Sequence, residues 1–133
     1  MRKSVFTSIA GREYPLCLTV AAMDELDTAG YGINDICRLL TPAEGLTVEQ
    51  VVKNAVWLLD ILLREGEQNR LCLADAGDEL NIVPSLEELC HILTPIEALK
   101  LRPALIDATM ASISVAVEAD KAAPGNGDGA ARA

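Results

Sequence analysis

The chain's single histidine, His91, directly follows Cys90. A thiol beside an imidazole is the pairing that activates a cysteine nucleophile. Neighbouring residues on a helix point about 100° apart, so adjacency alone does not align them. The surrounding pattern separates them further. Leu86, Leu89, Cys90 and Leu93 fall at i, i+3, i+4 and i+7, one buried stripe of a short helix, which leaves His91 on the polar side. Cys90 is thus expected to be a core thiol and His91 a surface imidazole. Asp75, Asp78 and Glu79 stand close enough in sequence to hold a cation, but their spacing is not that of an EF-hand, and a solvated acidic loop is expected. The four cysteines, at 17, 37, 72 and 90, include no C-x-x-C pair, so neither a zinc site nor a redox pair is signalled. No P-loop, G-x-S-x-G elbow or H-E-x-x-H helix occurs. These observations predict a non-enzymatic protein with no catalytic residues, no metal site and no cofactor.

Composition narrows the class. The chain has 133 residues, a net charge of −9, 50% apolar residues and only 3% aromatic ones. The core must therefore be aliphatic, and its Leu, Ala and Met favour helix. A phosphate backbone needs a basic face, so nucleic acid is excluded as a partner. The acidic balance keeps a small protein soluble and leaves room for a basic protein partner. Arg2 and Lys3 are not followed by the apolar run of a secretory signal. The longest apolar run, Ala55 to Leu63, is interrupted by Asp60 and is too short to span a bilayer. A cytoplasmic location with reduced thiols is expected.

The elements that would position any site have clear ends. Val5, Thr7 and Ile9 alternate with positions expected to be exposed, and so do Tyr14, Leu16 and Leu18. A two-residue turn at Gly11-Arg12, glycine first, makes a type II′ hairpin within residues 4–20. It would set Ile9 opposite Tyr14, Thr7 opposite Leu16 and Val5 opposite Leu18, all on one face for helices to cover. Pro15 cannot donate to a ladder, which marks its strand as an edge. Thr19 caps a helix from Val20 to about Ala29, stopped by Gly30 and Gly32. Gly30-Tyr31-Gly32 is no dinucleotide loop, because Asp35 holds the third glycine position.

An internal repeat follows. Asp35-Ile36-Cys37-Arg38-Leu39-Leu40-Thr41-Pro42-Ala43-Glu44-Gly45-Leu46 matches Glu88-Leu89-Cys90-His91-Ile92-Leu93-Thr94-Pro95-Ile96-Glu97-Ala98-Leu99. Each copy reads as a short helix with a buried cysteine, a corner, and a new helix opened by Thr-Pro-x-Glu capping chemistry. Thr47 to Gln50 is a further capping box, opening a central helix to about Glu65 with Gly66 as its stop. That helix is apolar nearly all round, so neighbours must cover it on several sides, one of them a candidate for another subunit. Asp60 is either a solvated edge of this helix or a polar specificity device at an interface. Residues 70–83 read either as two short strands, Leu71-Cys72-Leu73 and Leu80 to Val83, or as an irregular acidic loop. Ser85 to Glu88 caps the next helix, Pro95 opens another, and Pro103 breaks or kinks it. The last helix runs from Pro103 to about Ala119, burying Leu105, Ile106, Met110, Ile113 and Val117, with Ala108 and Ala111 among the residues that keep it slim. The predicted fold is mainly α (α+β): a small N-terminal β-hairpin packed on a compact bundle of about five or six helices. Residues 4–120 form one domain, with the hairpin at 4–20, and residues 121–133 a disordered tail.

The passage Gly11-Arg12-Glu13-Tyr14-Pro15-Leu16, then Leu18, then Ala22-Met23-Asp24-Glu25-Leu26, resembles the amino-terminal signature of the tail assembly chaperones of long-tailed bacteriophages, including prophage and gene-transfer-agent relatives. These proteins join a "Gly-x-x-Tyr-x-Leu" hairpin to an "Ala-Met-x-Glu-Leu" helix and continue as a small acidic helical domain. The layout agrees over about residues 4–120, and the Thr-Pro-x-Glu repeat stands outside the resemblance. The resemblance implies a non-enzymatic protein that binds the tape-measure protein, keeps it soluble, and helps tail-tube subunits polymerise around it. It also implies self-association, action in the bacterial host cytoplasm, absence from the finished virion, and often a longer frameshifted form. The residues themselves leave two other classes open: a phage structural component such as a head–tail connector or minor tail protein, and a small acidic regulator. Candidate contact residues are Pro15 and Cys17 on the hairpin edge, Trp57 and Ile61 on the central helix, and Ala108 and Ala111 on the last helix.

Overall fold

In the computed structural model, which describes residues 5–43, 45–74 and 79–122, two antiparallel strands open the chain: β1 (Val5–Ile9) and β2 (Arg12–Leu16). Their register pairs Val5 with Leu16, Thr7 with Tyr14 and Ile9 with Arg12. The turn is therefore Ala10-Gly11, not Gly11-Arg12. Both turn residues have positive φ, 52° and 82°, as a type I′ turn requires. The register thus differs by two residues from the one expected, and a two-residue shift leaves every side chain on its face. Thr7, Ile9, Tyr14, Leu16 and Leu18 are buried and Val5 half-buried, so the expected inner face stands.

Among the described residues six α-helices follow: α1 (Val20–Thr28), α2 (Ile36–Leu39), α3 (Val48–Cys72), α4 (Leu86–Ile92), α5 (Pro95–Lys100) and α6 (Arg102–Ala122). Four starts carry the side-chain caps their sequences call for. Thr19 accepts from the Ala22 N–H at 3.1 Å, Thr47 from Gln50 at 3.2 Å, Ser85 from Glu88 at 3.1 Å and Thr94 from Glu97 at 3.3 Å. In the last three the residue three positions on reciprocates, closing a capping box.

The two copies of the repeat diverge. Thr94-Pro95-Ile96-Glu97 opens α5 as expected. Thr41-Pro42-Ala43 opens no helix: Ala43 and Leu46 exchange backbone hydrogen bonds of 3.2 and 2.9 Å in a tight turn. The aligned residues Gly45 and Ala98 account for it. Gly45 takes φ 83°, a conformation that ends helical winding and that glycine adopts without strain, whereas Ala98 is buried inside α5. Glu44, expected to close a capping box, lies outside the described residues. Cys37 and Cys90 are both exposed, not buried. These helices are so short that a few aliphatic side chains anchor each: Ile36, Leu39 and Leu40 in the first copy, Leu89 in the second.

Gly66 does not stop the central helix, which runs on to Cys72. Leu71 and Cys72 are therefore helical rather than strand, and residues 79–85 have no regular structure. α3 is the axis of the fold, touched by β2 and by every other helix. The chain itself thus supplies the all-round cover that its apolar run demands, with Ala55, Leu58, Leu59, Leu62 and Leu63 at 1% exposure or less. α6 begins at Arg102, with Pro103 in its first turn, where the missing N–H breaks no helical bond. It buries Leu105, Ala108 and Thr109 and leaves Met110, expected in the core, exposed. Helix continues through Ala122, beyond the expected end at Ala119. Of the expected tail, residues 123–133 lie outside the described residues, as do Asp75 and Asp78 of the acidic loop.

Candidate interaction surface

Pro15 is half-buried, and its strand is not an open edge. Bonded and non-bonded pairs alternate along an antiparallel ladder. With Ile9 and Arg12 closing the turn, Phe6 and Pro15 fall at a non-bonded pair, so the missing N–H of proline costs no ladder bond. The Pro15 carbonyl points away from β1 and onto α3 at Gly66. A Cβ at Gly66 would sit 2.7 Å from the Pro15 carbonyl carbon, 3.1 Å from the Leu16 Cα, and closer still to the Pro15 oxygen. One residue further on, the Cys17 N–H donates to the Leu62 carbonyl at 3.3 Å. The edge that Pro15 marks is thus covered by α3. Cys17, Ile61 and Ala108, expected to lie at a contact surface, are core residues of the single chain at 8%, 0% and 2% exposure. Ala111 is half-buried. Trp57 is half-buried too, with its ring edge-on to Tyr31 at a centroid distance of 5.7 Å. The six candidate residues do not converge: Pro15 and Cys17 border one cleft, and Trp57 stands with Tyr31 elsewhere.

Two ionic ties brace α3. Arg64 bridges Glu25 on α1 at 2.6 Å and Asp60 on α3 at 3.0 Å, and both hydrogen bonds drive its pKa further up. Asp60 is therefore a buried partner within the chain rather than a solvated edge or an outer contact. About one turn further along α3, Glu67 is buried and bonded to Arg70 at 2.6 Å. It also accepts the Asn81 N–H at 2.7 Å, while Arg70 donates to the Glu79 carbonyl at 2.8 Å. Arg70 holds the Glu67 carboxyl below its ordinary pKa, and burial opposes that shift without cancelling it. Together the pair pins residues 79–81 against α3.

Beside this clasp lies an open cleft of about 340 Å³. Phe6 and Pro15 from the hairpin, Gly66 and Arg70 from α3, and Leu73 and Ala74 just beyond it are among its lining. Phe6 is 54% exposed and Leu73 74%. Leu80 and Ile82, on the pinned segment, are 52% and 85% exposed. Alternation in β1 alone puts Phe6 opposite to Ile9, so its exposure is legible in the sequence. Leu73 is not, because a helix stopped at Gly66 would never carry it there. A second cleft, of about 450 Å³, is lined by Tyr31, Leu46 and several polar groups. Those polar groups serve the fold: Asp35 pairs with Arg38, Gln50 caps α3, and Asn54 donates to the Leu39 carbonyl at 3.0 Å.

Cys90 and His91 are both exposed on α4. Among the described residues, no group of three or more His, Cys, Asp or Glu is placed to hold a metal ion. No described helix is long and apolar enough to cross a membrane. No protein-family model matches the chain, and no curated protein and no solved structure is significantly similar to it.

Proposed function

We propose that the chain is a tail assembly chaperone of a long-tailed bacteriophage, a non-enzymatic protein that binds the tape-measure protein in the host cytoplasm and assists tail-tube assembly. The name comes from the resemblance of the passage Gly11 to Leu26. The observation that carries the physical side of the reading is the display of large apolar side chains by an acidic molecule. Phe6, Leu73, Leu80, Ile82 and Ile96 are each more than half exposed, on a chain of net charge −9. Single exposed apolar residues are ordinary, but Phe6 and Leu73 face one cleft. An apolar contact surface suits a client that must be kept from aggregating, and the acidic remainder keeps the complex soluble.

The test is affinity purification of the tagged chain from cells expressing the tape-measure reading frame encoded beside it. Co-elution of the tape-measure protein is the expected result, and its absence from the eluate sinks the proposal. Mass spectrometry of purified particles separates the chaperone from a tail or connector component. A chaperone is missing from them, and a stoichiometric band would make the chain a structural part instead.

A further inference from the structure

Residues 79–82 lie against α3 without belonging to a helix or strand. Among the described residues, no hydrogen bond ties their backbone to another backbone group. Their bonds go to side chains of α3 instead: the Asn81 N–H donates to Glu67 at 2.7 Å, and the Glu79 carbonyl accepts from Arg70 at 2.8 Å. Glu67 and Arg70 are one ion pair, with Arg70 Nε at 3.0 Å and Nη2 at 2.6 Å from the carboxylate. A single carboxylate charge thus underlies both ties. Leu80 and Ile82 are more than half exposed and add little apolar burial to hold the segment down. The chain is anchored separately just downstream, where Val83 packs on the core and Ser85 caps α4.

A neutral Glu67 cannot keep this arrangement. Hydrogen bonds to an ionised carboxylate are roughly twice as strong as those between neutral groups. Protonation therefore weakens the bond from Asn81 and leaves Arg70 without its counter-charge. The Arg70 side chain is 34% exposed, so water competes for it, and the Glu79 carbonyl loses a fixed donor. The strongest influence on the carboxyl is Arg70, on the same helix. The segment itself brings the Asn81 N–H, and β2, packed on the adjacent Gly66, presents the Pro15 and Leu16 backbone. We propose that residues 79–82 are a strap that loss of the Glu67 charge releases from α3 while the helices and the hairpin stay packed. Release moves Leu80 and Ile82 away from α3 and uncovers Glu67. The folded pKa of Glu67 lies below its ordinary 4.5, so the strap is fully held above that value and is let go as the pH falls through the lower folded pKa. Its release does not depend on what the chain binds, so it can fail without touching the proposed function.

Amide hydrogen exchange of the full chain, read residue by residue by NMR, tests the strap. Local opening exposes little surface and responds weakly to urea, whereas global unfolding responds with the full m-value. In the parent at neutral pH, the Asn81 amide should have at least about tenfold less protection than that of Leu59, in the buried part of α3, and should hardly respond to low urea. Glu67→Gln, which removes the charge and keeps the shape, should lower the protection of Asn81 by about tenfold or more, still with little urea dependence. Acidification of the parent needs no substitution and decides alone if the variant fails to fold. Protection at Asn81, corrected for the intrinsic exchange rate, should fall below about pH 4.5 towards the Glu67→Gln value, while in Glu67→Gln it stays level. Leu59 should keep the higher protection and the steep urea dependence throughout. An Asn81 amide that shares the protection and urea dependence of Leu59 opens only when the whole molecule unfolds, and would overturn the strap. So would unchanged protection in Glu67→Gln, or unchanged protection of the parent in acid.

Discussion

Gly66→Ala puts two effects of known size in opposition. Gly66 lies inside a 25-residue helix, where alanine is intrinsically better by about 1 kcal/mol. The added Cβ, however, would stand 2.7 Å from the Pro15 carbonyl carbon and 3.1 Å from the Leu16 Cα. Carbon atoms rest comfortably at about 3.5–4.0 Å, so β2 has to retreat by roughly 1 Å. The neighbouring atoms are backbone and cannot swing aside as a side chain could. Overpacking of this kind costs about 1–3 kcal/mol. The retreat also stretches the Cys17 N–H to Leu62 carbonyl bond, already 3.3 Å long, and such a bond is worth about 1 kcal/mol. The clash outweighs the helical gain, and the expected net loss is about 1–3 kcal/mol. Urea unfolding followed by circular dichroism measures it, with an unchanged m-value and a lower midpoint. Gln68→Gly, at an exposed position on the same helix, should lose only the propensity difference of about 1 kcal/mol. A Gly66→Ala protein as stable as the parent, or more so, would refute the close approach of hairpin and helix.

Four further substitutions test other parts of the fold. Gly45→Ala should cost about 1 kcal/mol in chemical denaturation, because φ is 83° there although the space around it is open. Ala98→Gly at the matching place in the repeat should cost about the same through lost helix propensity. Ala10→Gly should stabilise by up to about 1 kcal/mol in thermal melts, since Ala10 holds φ 52° in the type I′ turn. Glu67→Gln should lower stability by about 1–3 kcal/mol at neutral pH by weakening the buried bonds to Arg70 and Asn81. The folded pKa of Glu67 lies below its ordinary value of 4.5, so its contribution is full above that value and lost as the pH falls through the lower folded pKa. Melting temperatures of parent and variant should therefore converge as the medium is acidified below about pH 4.5, and a constant gap would contradict the assignment.

Much of this fold was legible from residues with a strong local preference. The caps at Thr19, Thr47, Ser85 and Thr94 satisfy backbone groups within one turn, so nothing distant overrides them. The inner face of the hairpin followed from alternation, which a two-residue register shift cannot disturb. What could not be read depended on contacts between distant segments. Gly66 looks like a helix stop, yet the backbone of β2 packs directly against it. Cys37 and Cys90 fit a helical stripe, but α2 is anchored by Ile36 and Leu39 and α4 by Leu89, which leaves their thiols in solvent. Ala108 reads as a contact because small residues keep the last helix slim, and Ile61 because an all-round apolar helix is more than so small a chain is expected to cover. α1, α2, α4, α5, α6 and β2 cover it together. The same extension of α3 past Gly66 carries Leu73 to the cleft, which is why half of that surface was hidden in the sequence.

The chaperone proposal is tested most directly by the solubility of its client. The tape-measure protein is expressed alone and together with this chain, and its share in the supernatant after centrifugation is measured. The expected result is a tape-measure protein that pellets alone and stays in the supernatant with the chain present. An equal share in the pellet, with and without the chain, would contradict the proposed function.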